Sequence, residues 1–359
     1  VAERRFALVL SGGGLKGLAH IGVFQALAER GLTPDLVVGS SMGSLVAAAW
    51  ASGMSVEAMR ARAMLVHRKD VFRVAHADMA FRRMLAPAIY RREPLDLLID
   101  DLVGRHTFDD LPRRLIINTV DVNSGMQVLW GAPGLRDVPV GDAVFASCAL
   151  PGIFPPREIR GRYFCDGAVV SNLPVRVALA LGRVPVIAVD VGATTALRAS
   201  VEQSGFAATY VRGLEIVMQT MQEYAMRRWE GQAVLLVEPR VEHVSMFSFE
   251  HTREMIEEGH RATSEALDQY MEPLFSGSPG IYPQRVVQVE VDRDRCIGCG
   301  ACMMRAPGVF VLDEDGKAAV RHSLQIWSPG DGDYVRNCPT YAITAKLVDP
   351  GAAGDGGGL

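Results

Sequence analysis

The sequence predicts an α/β domain built on a mainly parallel sheet covered by helices, followed by a small second domain that binds a metal. Three observations predict it. Strand-like and helix-like segments alternate through the first two-thirds of the chain, a Pro-, Ser- and Gly-rich stretch interrupts the pattern after Tyr270, and four of the six cysteines lie beyond that break. Alternation buries parallel strands under helices. Clustered cysteines in a chain with no visible secretion signal mark a metal site sooner than disulfides.

Residues 5–10 form the first strand candidate and run into a glycine turn. Residues 16–30 place Leu18, Ile21, Phe24 and Leu27 at helical spacing and stop at Gly31. A short buried strand is expected at 35–38 and a helix at 43–53. Later strands are expected at 114–120, 127–130, 184–190 and 233–237, and helices at 175–181, 206–229 and 250–270. Residues 36–56 carry no charge and resemble a membrane span in hydropathy, but Gly and Ser at 39–41, 43, 44, 52 and 53 break the run. A strand–turn–helix accounts for it better.

The 359 residues suit one large domain over 1–271, a linker over 272–284, a small domain over 285–349 and a disordered tail over 350–359. With 49% hydrophobic residues the chain has ample material for a core. A net charge of −4 with balanced acids and bases gives no support to nucleic acid, which would call for a strongly basic face. The first ten residues read as strand and turn with no cleavage site, and a reducing, cytoplasmic compartment fits the free cysteines.

Gly39-Ser40-Ser41-Met42-Gly43 is a G-x-S-x-G sequence between a strand and a helix, the context of a nucleophile elbow. The turn needs small flanking residues, Gly39 and Gly43, and the helix N-terminus favours negative charge developing at Ser41. An ordinary Gly/Ser turn in an α/β unit is the plain alternative. Ser11-Gly12-Gly13-Gly14-Leu15-Lys16-Gly17 also lies between a strand and a helix, and its free amides suit an oxyanion. Gly12, Gly14 and Gly17 equally satisfy the dinucleotide pattern G-x-G-x-x-G. That pattern expects an acid at the end of the next strand; here Asp35 stands at its start.

Together with Asp166-Gly167-Ala168, these motifs resemble the patatin-like phospholipase family, as do residues 146–156 (ASCALPGIFPP) and Val170-Ser171-Asn172-Leu173-Pro174. The resemblance covers residues 6–267 and implies a three-layer patatin-like fold and a serine esterase acting on phospholipid or lysophospholipid esters. It implies a dyad of Ser41 as nucleophile and Asp166 as base, with Gly12, Gly13 and Gly14 as the oxyanion hole and Lys16 and Gly17 completing the loop. No triad histidine is required; His20 is expected to pack or hydrogen-bond beside the loop.

Two weaker features concern lipid. Residues 72–92 mix aromatic and aliphatic side chains with five arginines, a pattern that suits either peripheral contact with anionic lipid or arginine stems covering a core. Met218, Met221 and Met226 suit an acyl pocket or, more commonly, core filling.

Cys296, Cys299 and Cys302 form a C-x2-C-x2-C run, and Cys338 precedes Pro339. Such a set holds an iron–sulfur cubane, and zinc competes for four thiolates. Residues 286–348 resemble small bacterial single-cluster ferredoxins, an α+β fold whose terminal strands pair. Ala306-Pro307 stands where two-cluster relatives carry a further Cys-Pro. The resemblance therefore implies one [4Fe–4S] cluster on Cys296, Cys299, Cys302 and Cys338, and a redox partner or a regulatory role. A redox protein using the hydrolase fold as a lipid-binding scaffold, and a dinucleotide-dependent oxidoreductase, remain the alternatives.

Overall fold

A computed structural model of the chain describes residues 4–74, 88–192, 205–226, 228–229 and 231–348. The expected tail and most of the basic-apolar segment at 72–92 lie outside the described residues. The chain divides into two compact units, Val1–Gln222 with Gln232–Ser278, and Glu223–Gly231 with Pro279–Leu359.

The first unit is α/β. Its elements begin with β1 (Ala7–Leu10), α1 (Ala19–Glu29), β2 (Leu36–Ser40), α2 (Met42–Ala51), α3 (Val56–Ala63) and α4 (Glu93–Val103). They continue with β3 (Leu115–Asp121), β4 (Gln127–Trp130), α5 (Val140–Cys148), β5 (Arg157–Ile159), β6 (Arg162–Asp166), α6 (Ala168–Ser171) and α7 (Val175–Gly182). The last are β7 (Val186–Val189), α8 (Gly205–Met226, whose residues after Gln222 are counted with the second unit), β8 (Ala233–Val237) and α9 (Thr252–Phe275). The strand order is β5-β6-β3-β2-β1-β7-β8, with β4 also on β3.

The inner strands β3, β2, β1, β7 and β8 run parallel. Each of β1, β2, β3 and β7 is buried along its whole length, which is why they read as continuous apolar runs rather than alternating ones. The mainly parallel sheet carries an antiparallel edge, because β4 and β6 pair antiparallel to β3, and β5 to β6. The uncharged stretch at 36–56 is β2, a turn and α2, and no helix among the described residues is long and apolar enough to cross a membrane. The helix expected to end at 270 continues to Phe275 through Pro273, so the segment read as linker begins inside a helix. Tyr270 and Leu274 are buried there, and their packing holds the last turn together.

Chain direction fixes where chemistry gathers. β1 lies between β2 and β7, so the segments leaving its neighbours' carboxyl ends go to opposite sides and leave a crevice. The glycine loop leaves β1 there, and Ser41 leaves β2.

The second unit is small and mainly antiparallel. It contains β9 (Gly280–Tyr282), β10 (Arg285–Val291), α10 (Ala301–Arg305), β11 (Phe310–Leu312), β12 (Ala318–Val320), β13 (Leu324–Trp327) and β14 (Ile343–Leu347). The expected pairing of its terminal strands is present, β10 against β14, with β13 on the other side of β10. Its core is Val287, Val289, Ala306, Val309, Phe310, Tyr334 and Ile343, with Tyr334 edge-on to Phe310.

Candidate active site and candidate metal centre

Ser41 sits at the tip of the turn between β2 and α2 with φ 51° and ψ −128°. A non-glycine residue rarely holds such a conformation, and it persists where surroundings over-determine it. Two contacts do so. The Ser41 amide donates to Ser147 Oγ at 2.9 Å, and the Ser147 hydroxyl donates to the Asn118 carbonyl at 2.7 Å. The Ser41 carbonyl accepts from the Ser44 amide at 2.8 Å and the Ser44 hydroxyl at 2.6 Å.

Gly43 is required by close approach. A Cβ there would lie 2.5 Å from the Leu10 carbonyl oxygen and 2.6 Å from that of Ser11. The start of α2 thus presses on the end of β1, bringing elbow and glycine loop together. Gly39 faces Ser44 in the same turn.

Asp166 ends β6 and is buried. Its Oδ1 accepts from the Ala168 amide at 2.9 Å, and the Ser41 side chain lies close enough to the carboxyl to favour its ionisation. Burial dominates its ionisation and pushes the carboxyl up to about 7, against the Ala168 amide and the nearby Ser41 hydroxyl, which pull it down. Ser41 and Asp166, far apart in sequence, are therefore brought together.

The glycine loop meets them. A Cβ on Gly12 would fall 2.8 Å from Ser41 Cβ, so Gly12 lies directly against the serine. The Gly12 peptide is clamped by Asn172, whose Oδ1 accepts its N–H at 3.0 Å and whose Nδ2 donates to its carbonyl at 3.4 Å. Among the described residues, the amides of Gly13 and Gly14 have no protein acceptor. Gly14 opens a short 3-10 turn, Gly14–Leu18, that contains Lys16 and Gly17. Lys16 is buried; burial lowers its pKa, opposed by the carboxylates of Glu215, Glu242 and Asp190.

His20, on α1, is fully buried beneath the loop. Its Nε2 donates to the Ser11 carbonyl at 2.9 Å, and burial drives its pKa down to about 4, so the ring is neutral at physiological pH. The Ser11 hydroxyl accepts from the Val191 amide at 2.9 Å, tying the loop to the end of β7.

Sequence reasoning did not assign Ser147, Asn118 or Asn172. Ser147 and Asn172 stand within stretches that carried the resemblance, but nothing local shows what they bond. Their signal is a polar residue inside an apolar run, as in Val144-Phe145-Ala146-Ser147-Cys148-Ala149-Leu150. Asn118 is fully buried in β3 and donates through Nδ2 to the Ser171 carbonyl at 2.8 Å. Of the three methionines, Met221 is exposed, while Met218 and Met226 are half-buried. Phe72 instead packs with Tyr90, Phe154, Phe247 and Phe249. Met246, beside Phe247, accepts the Leu15 amide at 2.9 Å, so this aromatic group adjoins the glycine loop.

In the second unit, Cys296, Cys299, Cys302 and Cys338 line one cavity, together with Ala318, Tyr334 and Ala342. Among the described residues, no three metal-binding side chains meet at a point as a single ion requires. Backbone amides are aimed at the sulfurs: Ala318 N–H at Cys296 Sγ (3.4 Å) and Ala342 N–H at Cys338 Sγ (3.2 Å). Burial opposes ionisation of Cys338, but the amides of Ala342, Thr340 and Ile343 and the Thr340 hydroxyl outweigh it, so this thiol ionises below its ordinary value. Gly298 has φ +70°, and a Cβ there would lie 2.6 Å from the Gly316 carbonyl oxygen. That conformation turns the C-x2-C segment around the cavity. The donor set and its amide shell fit a thiolate-ligated cluster.

Residues 8–179 match the family described as patatin-like phospholipase, and residues 289–345 the family described as 4Fe-4S single cluster domain. The chain is 28% identical over 286 residues to an uncharacterized NTE family protein of Mycobacterium tuberculosis, covering 74% of this chain and 47% of that protein. It is 32% identical over 188 residues to lysophospholipase NTE1 of Mycosarcoma maydis, covering 52% of this chain and 10% of that protein. Among solved structures it is similar to VipD from Legionella pneumophila, with a TM-score of 0.43 and 16% identity, covering 75% of this chain and 67% of that one. The chain thus spans about half the length of the mycobacterial relative.

Proposed function

We propose that this chain, which carries a patatin-like phospholipase domain at its N-terminal end and a 4Fe-4S single cluster domain at its C-terminal end, hydrolyses acyl esters of lipids through Ser41 and Asp166. The observation that carries the reading is the Ser41 side chain set beside a buried carboxyl that ionises near neutrality. A general base works best when its pKa lies close to the operating pH. An ordinary aspartate, at 3.8, would be a weak base; desolvation removes that handicap.

Asp166, ionised, takes the Ser41 proton as Oγ attacks the ester carbonyl. The oxyanion is received by the Gly13 and Gly14 amides, with the Gly12 peptide held in place by Asn172. Collapse of the tetrahedral intermediate expels the alcohol, which takes the proton from Asp166, and leaves an acyl-serine. Asp166 then deprotonates water for the second attack, and the fatty acid departs with Ser41 restored. Each well-placed oxyanion donor contributes roughly 3 kcal/mol to such a barrier. The relatives' descriptions, phospholipase and lysophospholipase, support a phospholipid or lysophospholipid ester as substrate. The aromatic group beside the glycine loop supports an apolar acyl chain.

In this reading residues 1–271 form the hydrolase and 285–349 the cluster domain, with one [4Fe–4S] cluster on Cys296, Cys299, Cys302 and Cys338. When bound, the cluster supplies one-electron transfer. Ester hydrolysis exchanges no electron, so the cluster's part is redox or regulatory, in a reducing compartment such as the cytoplasm. The test is release of fatty acid from lysophosphatidylcholine together with fluorophosphonate labelling. Both are expected in the parent and lost in Ser41→Ala. Equal hydrolysis or labelling in that variant would sink the proposal.

A further inference from the structure

Helix α8 is inverted relative to an ordinary surface helix. A helix on a protein surface turns its apolar stripe to the core and its charges to water. Along α8, Arg212, Glu215, Gln219 and Gln222 follow one helical stripe, and this polar stripe faces the protein. Arg212 is 11% exposed and pairs with Glu215 at 3.1 Å. Glu215 in turn acts on buried Lys16 of the glycine loop, and Gln222 donates to buried Asp190 at the end of β7. On the opposite face, Tyr210, Gly213, Val217 and Met221 form a second stripe, flanked by Ile216 and Thr220, and every one of these six is exposed. Ile216 is 45% exposed, Val217 55% and Met221 47%. The outward face carries no charge.

We infer that this outward face of α8 is the surface by which the chain seats on a lipid bilayer. The inference rests on the hydrolase reading for its choice of occupant. A lipid ester is held in an aggregate, and an enzyme that attacks it must meet that aggregate near its own site. The outward stripe is in the right place. Tyr210 lies 3.4 Å from the position of a Cβ on Gly152, in the loop that leads from Ser147 into β5 and β6. The inner stripe of the same helix reaches the carboxyl end of β7, where Gln222 bonds Asp190, and Glu215 adds its charge to the field at Lys16. An uncharged stripe ending in a tyrosine suits the interfacial zone of a bilayer, where affinity follows buried apolar area. Because the stripe lacks Lys and Arg, its attachment is to zwitterionic as well as anionic lipid and survives high salt.

The experiment is co-sedimentation of the full chain with phosphatidylcholine vesicles, run in the parent and in Ser41→Ala so that binding is read apart from lipid breakdown. Both are expected to bind, in low and in high salt. The double variant Val217→Glu, Met221→Glu keeps good helix formers at exposed positions and is expected to lose at least about ten-fold in vesicle affinity. Its hydrolysis of vesicle lipid, relative to a soluble short-chain ester, is expected to fall by a similar factor. Thermal melting checks its fold, and Val217→Ser is a milder variant expected to show a smaller loss. Vesicle binding equal to the parent's in both variants would overturn the inference. So would a parent that ignores vesicles, or one that self-associates through this face, as shown by a sedimentation shift lost in the double variant. Failure of the hydrolase reading looks different: Ser41→Ala would keep its hydrolysis, whatever the vesicles do.

Discussion

The Ser41 hydroxyl and the four thiols of the second unit are held by opposite means. Around Ser41 the work falls to buried side chains: Ser147 bonds its amide, Asn172 grips the neighbouring glycine loop, and Asp166 is buried. Around the thiols it falls to backbone: glycine turns, and amides of Ala318 and Ala342 aimed at sulfur. Holding a serine in a strained conformation beside a buried carboxyl needs a large core. A metal cluster brings its own bond energy and needs a loop that presents four sulfurs. A small core of seven buried residues suffices for that.

If the two regions are independent in this sense, damage to one should spare the other. Cys302→Ser is expected to abolish the visible absorption of an anaerobically purified sample completely, while fluorophosphonate labelling at Ser41 persists. Loss of labelling in that variant would show the cluster to control the serine.

The electrostatic contrast gives the next largest effect. Asp166 ionises near 7 in the folded chain and near 3.8 unfolded. Between these values the folded state holds a proton that the unfolded state has released. Stability contributed by the neutral acid is therefore present below about pH 4, declines as pH rises, and is lost above about pH 7. Asp166→Asn removes a buried charge and is expected to gain roughly 4 kcal/mol over the parent above that pH, as an upper value, while losing hydrolysis. Urea unfolding of both chains at acid and alkaline pH measures the difference. In the parent, kcat is expected to rise with pH as the carboxyl ionises around 7.

Positioning is a smaller effect. Asn172→Ala releases both ends of the Gly12 peptide and is expected to lower kcat about 10²-fold with little change in KM. A rise in KM at constant kcat would instead mean that Asn172 contacts substrate. Ser147→Ala leaves the Ser41 amide without its acceptor and is expected to cost about 1–3 kcal/mol in unfolding free energy. Equal stability would show that the Ser41 conformation needs no such support.

What the sequence made legible was local. The elbow, the glycine loop and the C-x2-C-x2-C run each declare themselves within a few residues, because close backbone approach demands glycine at fixed offsets. The parallel inner strands were legible as buried apolar runs. Asn118, Ser147 and Asn172 were not, since a buried hydrogen bond to a distant carbonyl leaves no periodic trace. Nor was the inversion of α8. Both of its stripes are written in the sequence, but only the positions of Lys16 and Asp190 decide which one faces inward. The antiparallel edge was missed because β5 and β6 are short and their outer positions exposed, unlike the inner strands.

That edge has a consequence for the order in which competence is acquired. The serine leaves a strand in the middle of the sheet, whereas its carboxylate arrives on β6, which reverses direction and joins β3 from the far side. If Ser41 and Asp166 act together as proposed, a nascent chain that has completed β1, β2 and β3 has an elbow and a glycine loop but lacks the carboxyl that would take the proton. Under the proposed function, the pair is complete only once β6 has docked against β3.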